Sequence, residues 1–358
     1  MDCDPYKLLA ERLDALPNGF PATEDGSEIA LLKWLFTPEE AALAAQLRLT
    51  RETPPHIAAR IGDDLKELRL MLKNMAKKGL IAAGRAEGGF GYGLMPFAVG
   101  IYEMQFDRID IEMARLFENY YQKAFGQLMT IQPQVHRVIP VGESVSAGME
   151  VRPYESAANI VNDARAWGVV DCLCRKQQAL IGKPCGHPLD VCMVLGEVPG
   201  IFDQSLTIRS LTREGALATL RRAAEAGLVH SVSNNQQGLW YICNCCTCSC
   251  GILRSMVELG IANVIASSAF VLQVDEELCN GCGACVERCQ FNALSMDMVA
   301  EVDRVRCVGC GVCTIVCPEE AMSLVRRPEE EIKEIPVTLM DWMEERAQRR
   351  GLAIEKVL

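Results

Sequence analysis

The stretch Cys279-Asn280-Gly281-Cys282-Gly283-Ala284-Cys285-Val286-Glu287-Arg288-Cys289 returns 28 residues later as Cys307-Val308-Gly309-Cys310-Gly311-Val312-Cys313-Thr314-Ile315-Val316-Cys317. Both copies carry the spacing C-x2-C-x2-C-x3-C, so the segment is an internal repeat. Soft thiolates at this spacing suit iron: three cysteines two residues apart let one tight loop wrap three corners of a cubane cluster. The glycines and alanine at 281, 283, 284, 309 and 311 let the backbone approach the sulfurs and turn N–H groups toward them. The competing reading is a zinc-ribbon-like pair of sites. Such sites typically use two C-x2-C knuckles rather than two runs of four cysteines.

The second copy closes on Cys317-Pro318. Over about 55 residues the stretch resembles the bacterial dicluster 4Fe–4S ferredoxin domain. The resemblance implies a ferredoxin fold over residues 271–327, with the fourth cysteine of each run crossing to the other cluster. Cys279, Cys282, Cys285 and Cys317 would then hold one cluster. Cys307, Cys310, Cys313 and Cys289 would hold the second. Gln290 follows Cys289 where the family often has proline, which adds one N–H beside the second cluster.

A chain of 358 residues is long enough for about two to three domains. Half of it is apolar, so a sizeable core can form. The formal charge of −11 opposes nonspecific attraction to nucleic acid or an anionic membrane. The start is acidic and amphipathic, unlike a signal peptide, and the longest mostly apolar stretch, 259–272, is too short to span a bilayer. These features point to a cytoplasmic protein with no membrane span. Eighteen cysteines in a reducing compartment favour ligation over disulfides, and so many thiolates fit an anaerobic cell.

Residues 1–27 read as a short helix, Pro5 to Leu16, and a turn-rich linker. Residues 28–96 carry helix starts at Thr37-Pro38-Glu39-Glu40, Thr53-Pro54-Pro55 and Asp63-Asp64. Two short strands follow, 80–83 and 90–95, joined across 84–89. Three helices and a hairpin in that order look like a winged helix. In the third helix Leu65, Leu68, Leu72 and Met75 form one stripe and Lys66, Arg69, Lys73 and Lys77 another, the face that major-groove docking would use. Residues 1–95 nonetheless hold 12 Lys and Arg against 14 Asp and Glu. A connecting segment, 97–134, repeats apolar residues from Phe106 to Leu128 at helical steps and predicts one long amphipathic helix from 96 to 129.

Residues 135–270 form a central Cys-rich domain, expected to be α/β. A strand at 135–141 and a helix at 154–167 precede Cys172, Cys174, Cys185 and Cys192. Four thiols suffice for one tetrahedral metal or one cubane. After a helix at 212–226 and a strand at 238–242 come Cys243, Cys245, Cys246, Cys248 and Cys250, with a helix expected at 252–259. On a regular strand Cys246, Cys248 and Cys250 would face one way and Cys243 and Cys245 the other. The segment is therefore a loop, or it serves two sites. Two further iron–sulfur clusters, a cluster plus a structural zinc, or one unusual metal centre would each use these nine thiols. His187 and His230 are left out of the ligand set, since a lone histidine is more often structural. The combined C-x-C-R and Y-I-C-N-C-C pattern is similar to that of anaerobic iron–sulfur proteins ending in a ferredoxin domain.

Residues 328–358 form a tail with an amphipathic helix over 337–349. The fold class that follows is α+β: a winged-helix-like domain, a Cys-rich domain and a ferredoxin fold. The function that follows is electron transfer with a redox partner protein, by a carrier rather than a self-contained enzyme. The alternatives are a redox-sensing winged-helix regulator with DNA as partner, and a reductase acting at the central site. No Gly-rich dinucleotide fingerprint sits between a strand and a helix.

Overall fold

In the computed structural model, residues 4–142, 144–205 and 207–358 are described; the first three positions of the expected 1–27 segment lie outside them. The chain separates into two compact units. The first holds residues 1–131, 176–183 and 343–358, and the second holds 132–175 and 184–342. Among the described residues no helix is long and apolar enough to cross a membrane.

The first unit opens with α1 (Pro5–Asp14), α2 (Ser27–Leu35), α3 (Pro38–Ala44), α4 (Pro54–Ile61) and α5 (Leu65–Lys77). A reciprocal cap starts α3: Thr37 Oγ1 accepts from the Glu40 N–H at 3.2 Å, and the Glu40 carboxylate accepts from the Thr37 N–H at 3.0 Å. Strands β1 (Ala82–Ala86) and β2 (Gly89–Gly93) form an antiparallel hairpin closed tightly at Ala86 and Gly89, and Tyr92 also bridges to Glu52. On α5, Leu68, Leu72 and Met75 are buried, while Lys66, Arg69, Lys73 and Lys77 are exposed.

The long helix expected from 96 to 129 is corrected to a broken series. The chain makes short turns at Phe97–Ile101 and Glu103–Gln105, then α6 (Ile111–Lys123), then a 3-10 segment Phe125–Thr130. The break has a local cause: the Asp110 side chain accepts from the Met113 N–H at 2.8 Å and starts a fresh helix. The apolar periodicity continued across the break because Phe97, Phe117, Tyr120 and Phe125 all pack in one aromatic cluster.

The second unit contains β3 (His136–Val138), α7 (Ala157–Asp163), β4 (Ala166–Val170), β5 (Cys192–Gly196), β6 (Arg209–Leu211), α9 (Arg213–Glu225), β7 (Val229–Ser233) and β8 (Tyr241–Cys245); α8 (Leu173–Leu180) follows β4 in the chain, with 173–175 counted in this unit and 176–180 in the first. The six strands form one sheet in the order β3-β7-β8-β5-β4-β6, antiparallel at every pairing. The expected α/β arrangement, which implies parallel strands, is therefore corrected to an antiparallel sheet covered by α7 and α9. Ile139, Val161, Met193, Leu220, Val232 and Ile242 pack between these layers. The helix expected over 154–167 ends early: Ser156 caps α7, and Ala166 and Trp167 already belong to β4. Likewise the strand expected at 238–242 is displaced to β8, which begins at Tyr241 and runs on to Cys245, and the helix expected at 252–259 shrinks to α10 (Arg254–Glu258).

The remaining elements are β9 (Phe270–Val274), α11 (Ala284–Arg288), β10 (Leu294–Met296), β11 (Ala300–Val302) and β12 (Met322–Arg326). The first strand of the repeat region pairs with the last, β9 with β12, while β10 and β11 make a hairpin at the junction of the two copies. The tail helix α12 (Leu339–Arg349) begins two residues later than the expected 337. In the first unit, the fully buried Arg346 donates to the carbonyls of Pro17, Leu128 and Ile131.

Candidate metal centres

In the repeat region each cysteine run lies on a loop that leads into a short helical turn, α11, which already includes Cys285, in the first copy and Thr314–Val316, just after Cys313, in the second. Gly281, Gly283, Gly309 and Gly311 all take positive φ, the conformation that lets each loop curl back on itself. Cys289 stands beside Cys307, Cys310 and Cys313, and these four line one apolar cavity with Phe291 and Leu272. Cys279, Cys282 and Cys285 lie together, and Cys317 packs on the same core cluster as Cys279 and Cys285. Burial pushes the Cys310 thiol up to about 12, with the neighbouring Cys307 and Cys289 adding to it. Burial also raises Cys313 and Cys285. Protons so held are displaced when a cation binds the thiolates. N–H groups point at the sulfurs: Ala293 donates to Cys289 Sγ at 3.4 Å, and Val312 donates toward Cys310. Four soft donors around one apolar cavity, with backbone donors aimed at sulfur, fit an iron–sulfur cluster.

The nine central cysteines divide into two groups. Cys172 follows β4, Cys174 lies on α8, Cys192 starts β5 and Cys243 and Cys245 lie on β8. After β8 the chain turns, and the Cys250 N–H donates to the Cys246 carbonyl at 3.1 Å. That turn brings Cys250 back to the β8 cysteines. Thiol hydrogen bonds link Cys172 with Cys174 and Cys192, Cys174 with Cys250, and Cys245 with Cys243 and Cys250. Six sulfurs thus converge in one interior site. Hydrogen bonds from Cys174, then Cys192, hold the Cys172 thiol well below its ordinary range, and the same bonds push Cys174 and Cys192 up. The turn after Cys245 takes the segment out of strand geometry, so the alternation that would set Cys250 with Cys246 and Cys248 does not apply.

Arg175 lies 2% exposed against this site. Its guanidinium donates to the Pro188 carbonyl at 3.0 Å and the Asn244 carbonyl at 2.8 Å. Burial works against its charge, but Cys172, Cys246, Cys192 and Cys245 outweigh it and raise its pKa. Its Nε is buried with no hydrogen-bond acceptor among the described residues. An unpaired buried donor on a guanidinium set among thiols suits an anionic sulfur-bound cluster.

The second central group is Cys185, His187, Cys246 and Cys248, whose ligand atoms all lie within 4.8 Å of one another. His187 joins the site although the sequence reading set it aside. Its signal was the Cys185-x-His187 spacing, which mirrors Cys246-x-Cys248. Burial pushes the Cys185 thiol up, and hydrogen bonds from Ser249 Oγ (3.4 Å) and His187 more than offset it. Burial, then Cys246, pushes Cys248 up to about 12. His230 does not join. It is buried, bonded to Asn244 Oδ1, and acts as a core residue.

Gln290 ties the two parts of this unit together. Its Oε1 accepts from the Thr247 N–H at 2.7 Å, between Cys246 and Cys248, and its amide donates to the Gly227 carbonyl. Beside it, Arg288 donates to the Ala224 and Glu225 carbonyls at the end of α9. The residue that replaces the usual proline therefore works through its side chain.

Residues 272–295 match a family described as a 4Fe-4S binding domain, and residues 299–322 match a second family of the same description. Residues 272–322 are thus a dicluster ferredoxin-like region. Neither a search of curated proteins nor one of solved structures finds a match to this chain.

Proposed function

We propose that this chain passes electrons to or from a partner redox protein, using two 4Fe–4S clusters in residues 271–327 and a further iron–sulfur cluster on the six converging central thiols. Bound clusters supply one-electron chemistry at potentials set by charge, hydrogen bonds and burial. The observation that carries the reading is Cys289 beside Cys307, Cys310 and Cys313, the crossed ligand set of a two-cluster ferredoxin. Cys279, Cys282, Cys285 and Cys317 are the other set. The residues around these sites exclude water, aim N–H donors at sulfur and, through Arg175, offset thiolate charge. Gln290 keeps the Cys289 run against the turn after β8, which also carries Cys250 of the six-thiol site, so the proposed iron centres share one packed unit. The acidic chain suits a partner with a basic docking patch, where charge speeds encounter. A cytoplasmic, anaerobic setting agrees with this many reduced thiols.

Iron and sulfide analysis of anaerobically purified protein tests this. About twelve irons per chain are expected, at four per cubane. A colourless, iron-free product after reconstitution overturns the proposal, and about eight irons removes the central cluster from it.

A second reading takes the exposed Lys66, Arg69, Lys73 and Lys77 on α5, in a helix–helix–helix–hairpin order, as a winged helix that binds DNA under redox control.

A further inference from the structure

We infer that Cys185, His187, Cys246 and Cys248 form a mononuclear zinc site, separate from every iron centre of the proposed function and independent of that reading. The site has the size of a single ion. Zn–S bonds of about 2.3 Å and Zn–N bonds of about 2.0–2.1 Å set tetrahedral ligand atoms about 3.5–3.8 Å apart. His187 Nδ1 lies 3.7 Å from Cys248 Sγ, and all four ligand atoms fall within 4.8 Å of each other. A cubane gives each thiolate its own iron corner and needs a wider ring of ligands than these four donors form.

The donor set agrees. Three thiolates and one imidazole make a standard closed zinc shell. They arrive as two C-x-(C/H) pairs, one on the loop before β5 and one on the turn after β8. The surrounding groups support the ligands as well. Ser249 Oγ donates to Cys185 Sγ at 3.4 Å, and Gln290 Oε1 holds the backbone N–H of Thr247 inside the second pair. Arg175 lies close enough to Cys246 to offset part of the negative charge of a three-thiolate shell. Zinc has no redox chemistry, so the site acts as a clasp that holds the post-β8 turn, and through Thr247 the Gln290 side chain, in register.

The test is metal analysis of the full-length protein purified without oxygen, before and after challenge with a strong chelator, with Co²⁺ exchange as the optical probe. About one zinc per chain is expected, alongside the irons. Co²⁺ should give the visible bands of a tetrahedral site with three sulfur ligands and one nitrogen. His187→Ala should lower retained zinc at least ten-fold with iron unchanged, and His187→Cys should restore zinc while shifting the Co²⁺ bands toward those of an all-thiolate site. Cys248→Ser, at the exposed ligand, provides a second variant should His187→Ala fail to fold. Zinc near zero in wild type, or His187→Ala and Cys248→Ser that lose iron rather than zinc, overturns the inference. Either result leaves the wild-type iron count untouched, so the two proposals fail separately.

Discussion

At the scale of single residues, the chemistry is set by which side chains the backbone leaves no room to ignore. His136 is fully buried on β3, with the Tyr241 hydroxyl 2.9 Å from Nε2 and the Ser231 hydroxyl 3.3 Å from Nδ1. Burial lowers its pKa to about 3. The unfolded chain then binds a proton near pH 6.5 that the folded chain refuses. The stability this gives is full above pH 6.5 and is lost as pH falls through that value toward 3. At pH 5.5 the loss is about 1 kcal/mol relative to pH 7. Wild type should therefore lose about 3 °C more in thermal midpoint between pH 7 and 5.5 than His136→Gln, by circular dichroism. Equal losses would show that His136 is not the group titrating. His187 and Gln290 teach a different lesson about legibility. A single histidine and a missing proline carry little signal by themselves. Their roles depend on partners 61 and 43 residues away in the chain, a separation no local pattern records.

At the scale of elements, the cysteine loops were readable because their spacing encodes a local shape. The loop glycines make that shape testable. Gly309 has φ of +68°, and a Cβ there would run into the Phe270 carbonyl and the Ser268 hydroxyl. Gly283 has φ of +80° but faces open space. Gly309→Ala should remove about four irons per chain, the complement of one cubane. Gly283→Ala should keep its iron and lose only about 1 kcal/mol of stability, from the left-handed backbone. Retention of full iron by Gly309→Ala would show the second loop to be more forgiving than its contacts imply. The middle of the chain was less legible. Periodicity over 106–128 predicted one helix because the apolar residues of α6 and of the turns flanking it feed a shared aromatic cluster, and only the Asp110 cap betrays the break. The β8 cysteines alternate to Cys245, after which a turn, one of the two arrangements that period-two reasoning left open, sends Cys250 back.

At the scale of the whole molecule, charge argues against nucleic acid and for a protein partner. Affinity for DNA rests on neutralising phosphates, and a chain at −11 works against its own α5 stripe. A gel-shift assay with the gene's upstream DNA at about 0.15 M salt should give no retarded band, whether the protein is oxidised or reduced. A redox-dependent shift would promote the regulator reading above electron transfer. One topological fact carries a consequence for biogenesis. Because β9 takes its hydrogen-bonded neighbour from β12, the region's first strand stays unpartnered until nearly its last residue has left the ribosome. Closure of this region must therefore await the synthesis of β12, and a nascent chain stalled near residue 300 would offer delivery factors an open strand edge and four of the region's eight repeat cysteines.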